Sequence, residues 1–281
     1  MMSGTIVDNT QTNIASPDSG ITAMVSGRGV PVVLVHGALG DYRQWNAVGA
    51  RLRSRFRVVA LSRRLHWPNA PSPAGGAYTI ESHRDDLLAL LGTLEEPVHL
   101  VGHSYGALVV LSAVLAAPQL VRSLVLIEPP LTGLLPVAGS GLDAELASRS
   151  AMLAAMRADI AAGADEAASV RLIDWVQAAA GGFIALPESG RAQLLANAHT
   201  IGPTYAIAPQ SMTCVQLQDI RLPTLVLHGA LTRTFYRLAA QAAAACIAHT
   251  RSAEIADAGH MAIIENPGAT ALLLRMFFAD T

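Results

Sequence analysis

Continuous apolar runs alternate with segments of helical spacing along the first half of the chain. Runs rich in Val, Leu and Ile predict buried strands at residues 30–37, 56–63, 98–104 and 123–128. The spacing of apolar residues predicts helices over residues 81–94 and 105–117, the first with an acidic first turn that suits the helix dipole. This order indicates an α/β fold, in which helices cover both faces of a mostly parallel central sheet.

The alternation stops between residues 131 and 219, where three helical segments follow one another without a strand pattern. It resumes with strands at 222–230 and 253–256 and helices at 236–247 and 267–278. We therefore expect a core formed by residues 20–130 and 220–281, with a helical lid inserted at 131–219. Residues 1–19 are polar and predict a flexible tail, without the basic start and apolar stretch of a secretory signal.

Composition narrows the class of protein. The 281 residues are 52% hydrophobic and 14% charged, with a formal net charge of −2. No apolar run reaches the roughly 18 residues that a membrane span needs. No basic stripe favours nucleic acid. The two cysteines, Cys214 and Cys246, predict neither a disulfide framework nor a metal site, so we expect a cytoplasmic protein with no metal and no organic cofactor.

One pentapeptide has the pattern of a catalytic motif. Residues 102–106 read Gly-His-Ser-Tyr-Gly and lie between a predicted strand and a predicted helix. A sharp strand-to-helix turn forces the central serine into a strained conformation and exposes its hydroxyl, while the flanking glycines leave room for the turn. The helix amino terminus then points its free N–H groups at the reacting carbonyl. The context predicts that Ser104 is a nucleophile.

A serine hydroxyl needs a base to take its proton. Among nine histidines, His260 follows the last predicted strand in the loop "ADAGHMAIIENP". His36 belongs to a His-Gly turn, where hydrogen bonding within the loop accounts for it. His103 is next to the serine and is expected to point away from it. We interpret the other six histidines as surface or structural residues and predict that His260 is the base.

At this point the chain resembles the α/β-hydrolase superfamily over nearly all of its ordered length. The resemblance rests on "HGALGDYRQW", "GHSYG", "PTLVLHG" and "AGHMAIIENP", in that order. It implies a catalytic triad in the chain order serine, acid, histidine. It also implies an oxyanion hole formed by the backbone N–H groups of Tyr105 and Ala38, with Leu39 as the alternative to Ala38.

The acid departs from the common pattern of the family. Many relatives carry it about three residues past the glycine of a segment like "LHGALT", where this chain has Thr232. Some carry it after the strand that follows the elbow helix, and Glu128 occupies that place. Because parallel strands end at one edge of the sheet, Glu128 can meet Ser104 and His260 there. Asp257 remains a rival acid, and a structural role for Glu128 against a lid backbone group or an arginine remains the alternative.

The substrate is expected to be a small molecule of medium size that is largely apolar. Aromatic residues of the lid and the core loops are candidates for the pocket wall, namely Trp175, Phe183, Tyr205 and Trp45. Arg63 and Arg64 could hold a substrate carboxylate, although a solvated or structural pair is the commoner arrangement. A serine elbow favours an acyl-enzyme, and so a serine hydrolase that cleaves a carboxylic ester or lactone as a monomer or homodimer. Carbon–carbon bond hydrolysis, cofactor-free oxygenation and ligand binding without catalysis remain open alternatives.

Overall fold

A computed structural model of the chain describes residues 10–15, 20–69, 78–135, 142–178, 181–206 and 212–281. Eight strands form one sheet in the order β1-β2-β4-β3-β5-β6-β7-β8. Their bounds are β1 Thr10–Ala15, β2 Gly20–Ser26, β3 Pro31–Val35, β4 Arg57–Ser62, β5 Val98–His103, β6 Val121–Ile127, β7 Thr224–Gly229 and β8 Thr250–Ile255. Strands β3 to β8 are mutually parallel, whereas β1 and β2 pair antiparallel at one edge. The predicted α/β class and mostly parallel sheet are confirmed.

Twelve helices accompany the sheet in the described residues. They are α1 Asn46–Leu52, α2 Ile80–Leu91, α3 Tyr105–Ala116, α4 Leu142–Ala161, α5 Asp165–Val176, α6 Gly182–Ala185, α7 Glu188–Leu195, α8 Ile201–Ala206, α9 Cys214–Leu217, α10 Thr234–Cys246, α11 Ala262–Glu265 and α12 Pro267–Ala279. The predicted helices and strands are present, with ends that differ by a few residues.

Two apolar layers sandwich the sheet because successive side chains of a strand point to opposite faces. In β3, Val33 and Val35 pack in the layer that includes α2, α3 and α10. Val32 and Leu34 pack in the opposite layer, which includes α1, α11 and α12. The central strands are buried along their whole length, which explains why they appear in the sequence as continuous apolar runs.

The segment between β6 and β7 contains α4 to α9, which we call the helical insertion, and comprises six helices where the sequence predicted three. Its apolar side chains form a third cluster with residues of the core, including Phe235, Tyr236 and Met261. Polar contacts fix it in place. Asn197 donates to Asp41 at 2.8 Å and accepts from the backbone N–H of Trp67 at 2.7 Å. Whether the insertion opens as a lid stays a prediction.

Two sequence expectations are wrong. Part of the predicted flexible tail, Thr10–Ala15, forms edge strand β1 instead; residues 1–9 and 16–19 lie outside the described residues. Cys214 and Cys246 form a disulfide between α9 and the end of α10, a pairing that their separation of 32 residues did not suggest. Disulfides are typical of oxidising compartments, so this bond does not support the cytoplasmic expectation. None of the described helices combines the length and the apolar character that crossing a bilayer requires.

Gly106, in the first turn of α3, provides a test of how tightly the elbow is packed. A Cβ at this position would overlap the carbonyl oxygens of Val35 and His36, which are backbone atoms and cannot turn aside. Gly106→Ala should therefore lower the free energy of unfolding by about 1–3 kcal/mol, measured by urea denaturation.

The matched control is Gly190→Ala in α7, where an added Cβ has no heavy atom within 4 Å. This change should instead raise the free energy of unfolding, by about 0.5–1 kcal/mol, because alanine is the better helix former. Equal effects of the two variants would contradict the close approach of α3 to the end of β3.

Candidate active site

Ser104 lies at the turn between β5 and α3, with φ 51° and ψ −120°. A side chain there is strained, since φ in this range suits glycine better than any other residue. The flanking glycine Gly102 is required, because an added Cβ would overlap the backbone of Gly106 and Ala107. The backbone N–H of Ser104 donates to the carbonyl of Ile127 at 2.9 Å, so the turn is fastened to the neighbouring strand. The expected strained elbow is present.

His260 lies in the loop between β8 and α11 and is almost completely buried. Its Nε2 is 2.9 Å from the hydroxyl oxygen of Ser104, and its Nδ1 is 3.0 Å from a carboxylate oxygen of Glu128. The three side chains thus form one hydrogen-bonded chain. This arrangement allows Nδ1–H to donate to Glu128 while Nε2 accepts from the serine hydroxyl.

Glu128 is completely buried just past the end of β6. Its Oε1 accepts from the backbone N–H of Gly229 at 2.7 Å, and its Oε2 accepts from the Thr232 hydroxyl at 2.7 Å. Thr232 occupies the position where many relatives carry the acid. Here its hydroxyl instead donates to Glu128, the carboxylate found in place of that acid. The rival acid Asp257 is exposed and does not bond to His260. The geometry thus brings Glu128, rather than Asp257, to His260.

Burial dominates the electrostatics of this pair. It raises the pKa of Glu128 to about 7, against the opposing effect of the hydrogen bonds from Gly229 and Thr232. It lowers the pKa of His260 to about 3, which favours the neutral imidazole. A neutral imidazole is the form that can take a proton from Ser104. Because the two groups touch, they titrate as one coupled unit.

Two further residues, His103 and Tyr236, lie against His260. His103, expected to point away, is buried beside it, and its Nε2 donates to the backbone carbonyl of His260 at 2.8 Å. Burial lowers the pKa of His103 to about 4, which leaves that ring neutral. Tyr236 of α10 packs its ring over the ring of His260, with centroids 3.9 Å apart. The first contact fixes the backbone of His260, and the second restricts how its imidazole can turn.

The loop after β3, which contains Gly37 and Ala38, also lies close to Ser104. An added Cβ on Gly37 would lie 3.1 Å from the Cβ of Ser104, and Ala38 lines a small cavity together with Ser104 and His260. The carbonyl of Gly37 accepts from Arg63 at 3.0 Å, and a nitrogen of His36 lies 2.8 Å from it. An oxyanion hole formed by the amides of Ala38 and Tyr105 remains a prediction that this placement supports.

The arginines considered for substrate binding are structural. Arg63 is buried, and its guanidinium lies 4.6 Å above the ring of Tyr105. Arg64 forms a buried ion pair at 2.7 Å with Asp86 of α2. Both side chains therefore brace the loops behind the site, in agreement with the commoner arrangement.

A cavity of about 140 Å³ opens beside Ser104, between the core and the helical insertion. Trp175 and Tyr205 line it, as expected. Two other expected pocket residues do not. Trp45 is buried in the apolar layer beneath the sheet, and Phe183 is buried in the cluster between the insertion and the core. All four residues were predicted from their aromatic character alone, and only the packing of the structure distinguishes the two that line the cavity from the two that do not. Among the described residues, no group of three His, Cys, Asp or Glu side chains could hold a metal ion.

The sequence matches the family described as "Alpha/beta hydrolase family" over residues 32–271. An uncharacterized hydrolase of Bacillus subtilis, YraK, is 32% identical over 120 residues, which are 42% of this chain and 44% of that protein. The chain thus matches less than half the length of this curated relative.

The fold is similar to that of two esterases of the same organism. Carboxylesterase CesB has a TM-score of 0.74 at 18% identity, with 98% of this chain and 93% of that chain covered. The naproxen esterase has a TM-score of 0.69 at 19% identity, with 97% and 92% covered. At these identities the likeness concerns the fold alone.

Thr232→Val should move the acid limb of the pH–rate profile to higher pH. The hydroxyl stabilises the ionised form of Glu128 and so lowers its pKa. Removing the hydroxyl raises that pKa. As the pH is lowered, Glu128 is then protonated earlier, so activity that needs the carboxylate is lost at a higher pH than in the wild type. The measurement is kcat/KM for an activated ester from pH 5 to 9. Thr93→Val, an exposed threonine after α2, should leave the limb in place; an unmoved limb in Thr232→Val would mean that Glu128 does not control the rate.

Glu128→Gln should reduce kcat on the order of 10⁴-fold. The fixed N–H of Gly229 requires an acceptor, so the amide oxygen of the new side chain should face it. The amide NH₂ then points at Nδ1 of His260, which must accept and so holds its proton on Nε2, the wrong tautomer. Asp257→Asn should cost less than about tenfold, since it only perturbs the loop. The opposite order of effects, measured by steady-state kinetics, would transfer the role to Asp257.

Proposed function

Because the chain belongs to the alpha/beta hydrolase family, we propose that it is a serine hydrolase that cleaves a carboxylic ester or lactone through an acyl-enzyme. One observation carries the proposal: the hydrogen-bonded chain from Ser104 through His260 to Glu128 begins at the wall of a cavity. The parts that acyl transfer requires are a nucleophile, a base and an orienting acid. Ser104 would supply the first, and the buried side chains of His260 and Glu128 the other two.

The geometry supports the following proposed reaction. The oxygen of Ser104 attacks the carbonyl carbon while its proton passes to Nε2 of His260, and the carbonyl electrons move to the oxygen, which the amides of Ala38 and Tyr105 stabilise. The tetrahedral intermediate collapses, and the alcohol leaves with the proton from His260. Water then attacks the acyl-enzyme and loses a proton to His260. Collapse of the second intermediate releases the acid, and the oxygen of Ser104 takes that proton back from His260, which restores both side chains. Each step uses only groups of the chain and water.

The volume of the cavity favours a substrate of which only a modest portion is enclosed. An apolar protein cavity of about 150 Å³ accommodates one benzene molecule. The space beside Ser104, about 140 Å³, is comparable, and apolar or aromatic side chains such as Leu108, Leu172 and Trp175 contribute to its wall. We infer that one portion of the substrate, about as large as a single ring or a short acyl chain, is enclosed there. The rest would extend towards the opening of the cavity.

The helical insertion would act as the lid. It contributes Leu172, Trp175 and Tyr205 to the cavity wall, while the core contributes Ser104 and Tyr236. A substrate enclosed between them would exclude water from the nucleophile until the acyl-enzyme has formed. The lid would therefore govern both substrate choice and access.

Ser104→Ala should abolish hydrolysis of 4-nitrophenyl esters while leaving thermal unfolding nearly unchanged. We expect kcat to fall on the order of 10⁴-fold or more, because the change removes the only oxygen that can form the acyl-enzyme. A fluorophosphonate probe should label the wild type at Ser104 and leave the variant unlabelled, as read by mass spectrometry. Ser252→Ala, at an exposed serine of β8, is the matched control. Substantial activity in Ser104→Ala, or labelling at another residue, would contradict the assignment.

A further inference from the structure

Helix α4 places two arginines on the wall of the cavity beside Ser104. Arg149, Leu153 and Arg157 are spaced four residues apart, so they share one face of the helix, and all three line the cavity. A cationic pair is unexpected in a wall that is otherwise rich in apolar and aromatic side chains. It therefore requires an explanation beyond packing.

Neither guanidinium has a carboxylate partner within the described residues. The arginines that do form ion pairs there are Arg43, Arg64, Arg84, Arg171, Arg233 and Arg251. Glu145, one turn before Arg149 on the same helix, is engaged by Arg233 at 2.9 Å. Glu81 is the one carboxylate among the described lining residues. Among the described lining residues, two guanidinium groups and one carboxylate give an excess of positive charge.

Of the two arginines, Arg149 is the one that acts electrostatically on side chains beside the proposed catalytic residues. It is half-buried, and its guanidinium carbon lies 5.0 Å from the ring centroid of Phe235, which holds it in position. Its charge lowers the pKa of the phenols of Tyr205 and Tyr236, against the raising effect of burial. Tyr236 in turn packs on the ring of His260. Arg149 therefore acts electrostatically on the phenol whose ring packs against the imidazole of His260. Arg157 is exposed and lies further along the same wall.

We propose that the cavity selects esters or lactones whose enclosed portion carries a carboxylate, with Arg149 as its binding group and Arg157 as an electrostatic guide at the entrance. This inference rests on the proposed function and specifies its substrate class. A guanidinium offers paired N–H donors that match the two oxygens of a carboxylate. Partial burial strengthens the attraction relative to a pair in open water. A half-ester of a short dicarboxylic acid has the required combination of charge, size and ester carbonyl.

The test compares two substrates that differ in one terminal group. Mono-4-nitrophenyl glutarate carries a carboxylate where 4-nitrophenyl valerate carries a methyl group. The wild type should show the lower KM for the glutarate. Arg149→Met should raise that KM about 10- to 100-fold, the loss expected for a hydrogen-bonded ion pair, and should lower the ratio of kcat/KM for the glutarate to kcat/KM for the valerate by a similar factor. Arg149→Lys should lie between, because it keeps the charge without the paired donors.

Arg28→Met is the matched control. It removes the same charge from an exposed residue in the turn before β3, at the amino end of a strand whose carboxyl end faces the site. Neither substrate should respond to it by more than about threefold. A wild type that does not favour the glutarate, or an Arg149→Met variant that loses both substrates equally, would overturn the inference.

A binding measurement separates this inference from the proposed function. Glutarate should bind to Ser104→Ala protein in a calorimetric titration, and adding Arg149→Met should weaken that binding by a similar factor. Hydrolysis of the valerate without Arg149-dependent preference for the glutarate would overturn the charge recognition alone. Arg149-dependent glutarate binding to a wild type that hydrolyses neither ester would overturn the proposed hydrolase and support the anion site. Absence of glutarate binding would count against the anion site.

Discussion

The carboxylate of Glu128 is completely enclosed by protein, and the rest of the site depends on how its charge is compensated. A buried carboxylate is costly unless each oxygen accepts hydrogen bonds. The donors come from three places: the backbone at the end of β7, the hydroxyl of Thr232 and the ring of His260. One buried charge thus draws together the ends of two strands and the loop that follows a third.

The same sheet edge fixes Ser104, the proposed nucleophile. Ser104 and Glu128 follow adjacent parallel strands, and both adopt positive φ, 51° and 55°. The N–H of Ser104 donates to Ile127, and the N–H of Glu128 donates to Leu227, each at 2.9 Å. The inter-strand ladder therefore continues through both strained residues. A strained backbone conformation persists only where the surrounding structure holds it in place, and here the hydrogen bonds between the strands hold both residues.

The sequence predicted the parts of this protein that depend on local pattern. Buried parallel strands appear as apolar runs, and Glu128 could be identified as a candidate because it directly follows such a run. The support from Thr232 depends on a contact across 104 residues and leaves no local signal. The disulfide and the polar edge strand β1 depend on tertiary placement in the same way. Trp45 was misassigned because an aromatic residue in a loop has the same pattern whether it faces a pocket or the core.

The cavity wall is divided between two parts of the chain. The core carries Ser104 and the residues that activate it, whereas α4 and α5 carry Arg149 and Trp175. Sequence drift in the insertion can therefore alter what is bound without disturbing the hydrogen-bonded chain that would perform the chemistry. The residues expected to set the substrate range and those expected to perform the chemistry therefore occupy separate stretches of the sequence. A lineage could exchange its insertion for another and acquire a new specificity while its nucleophile, base and acid remain unchanged.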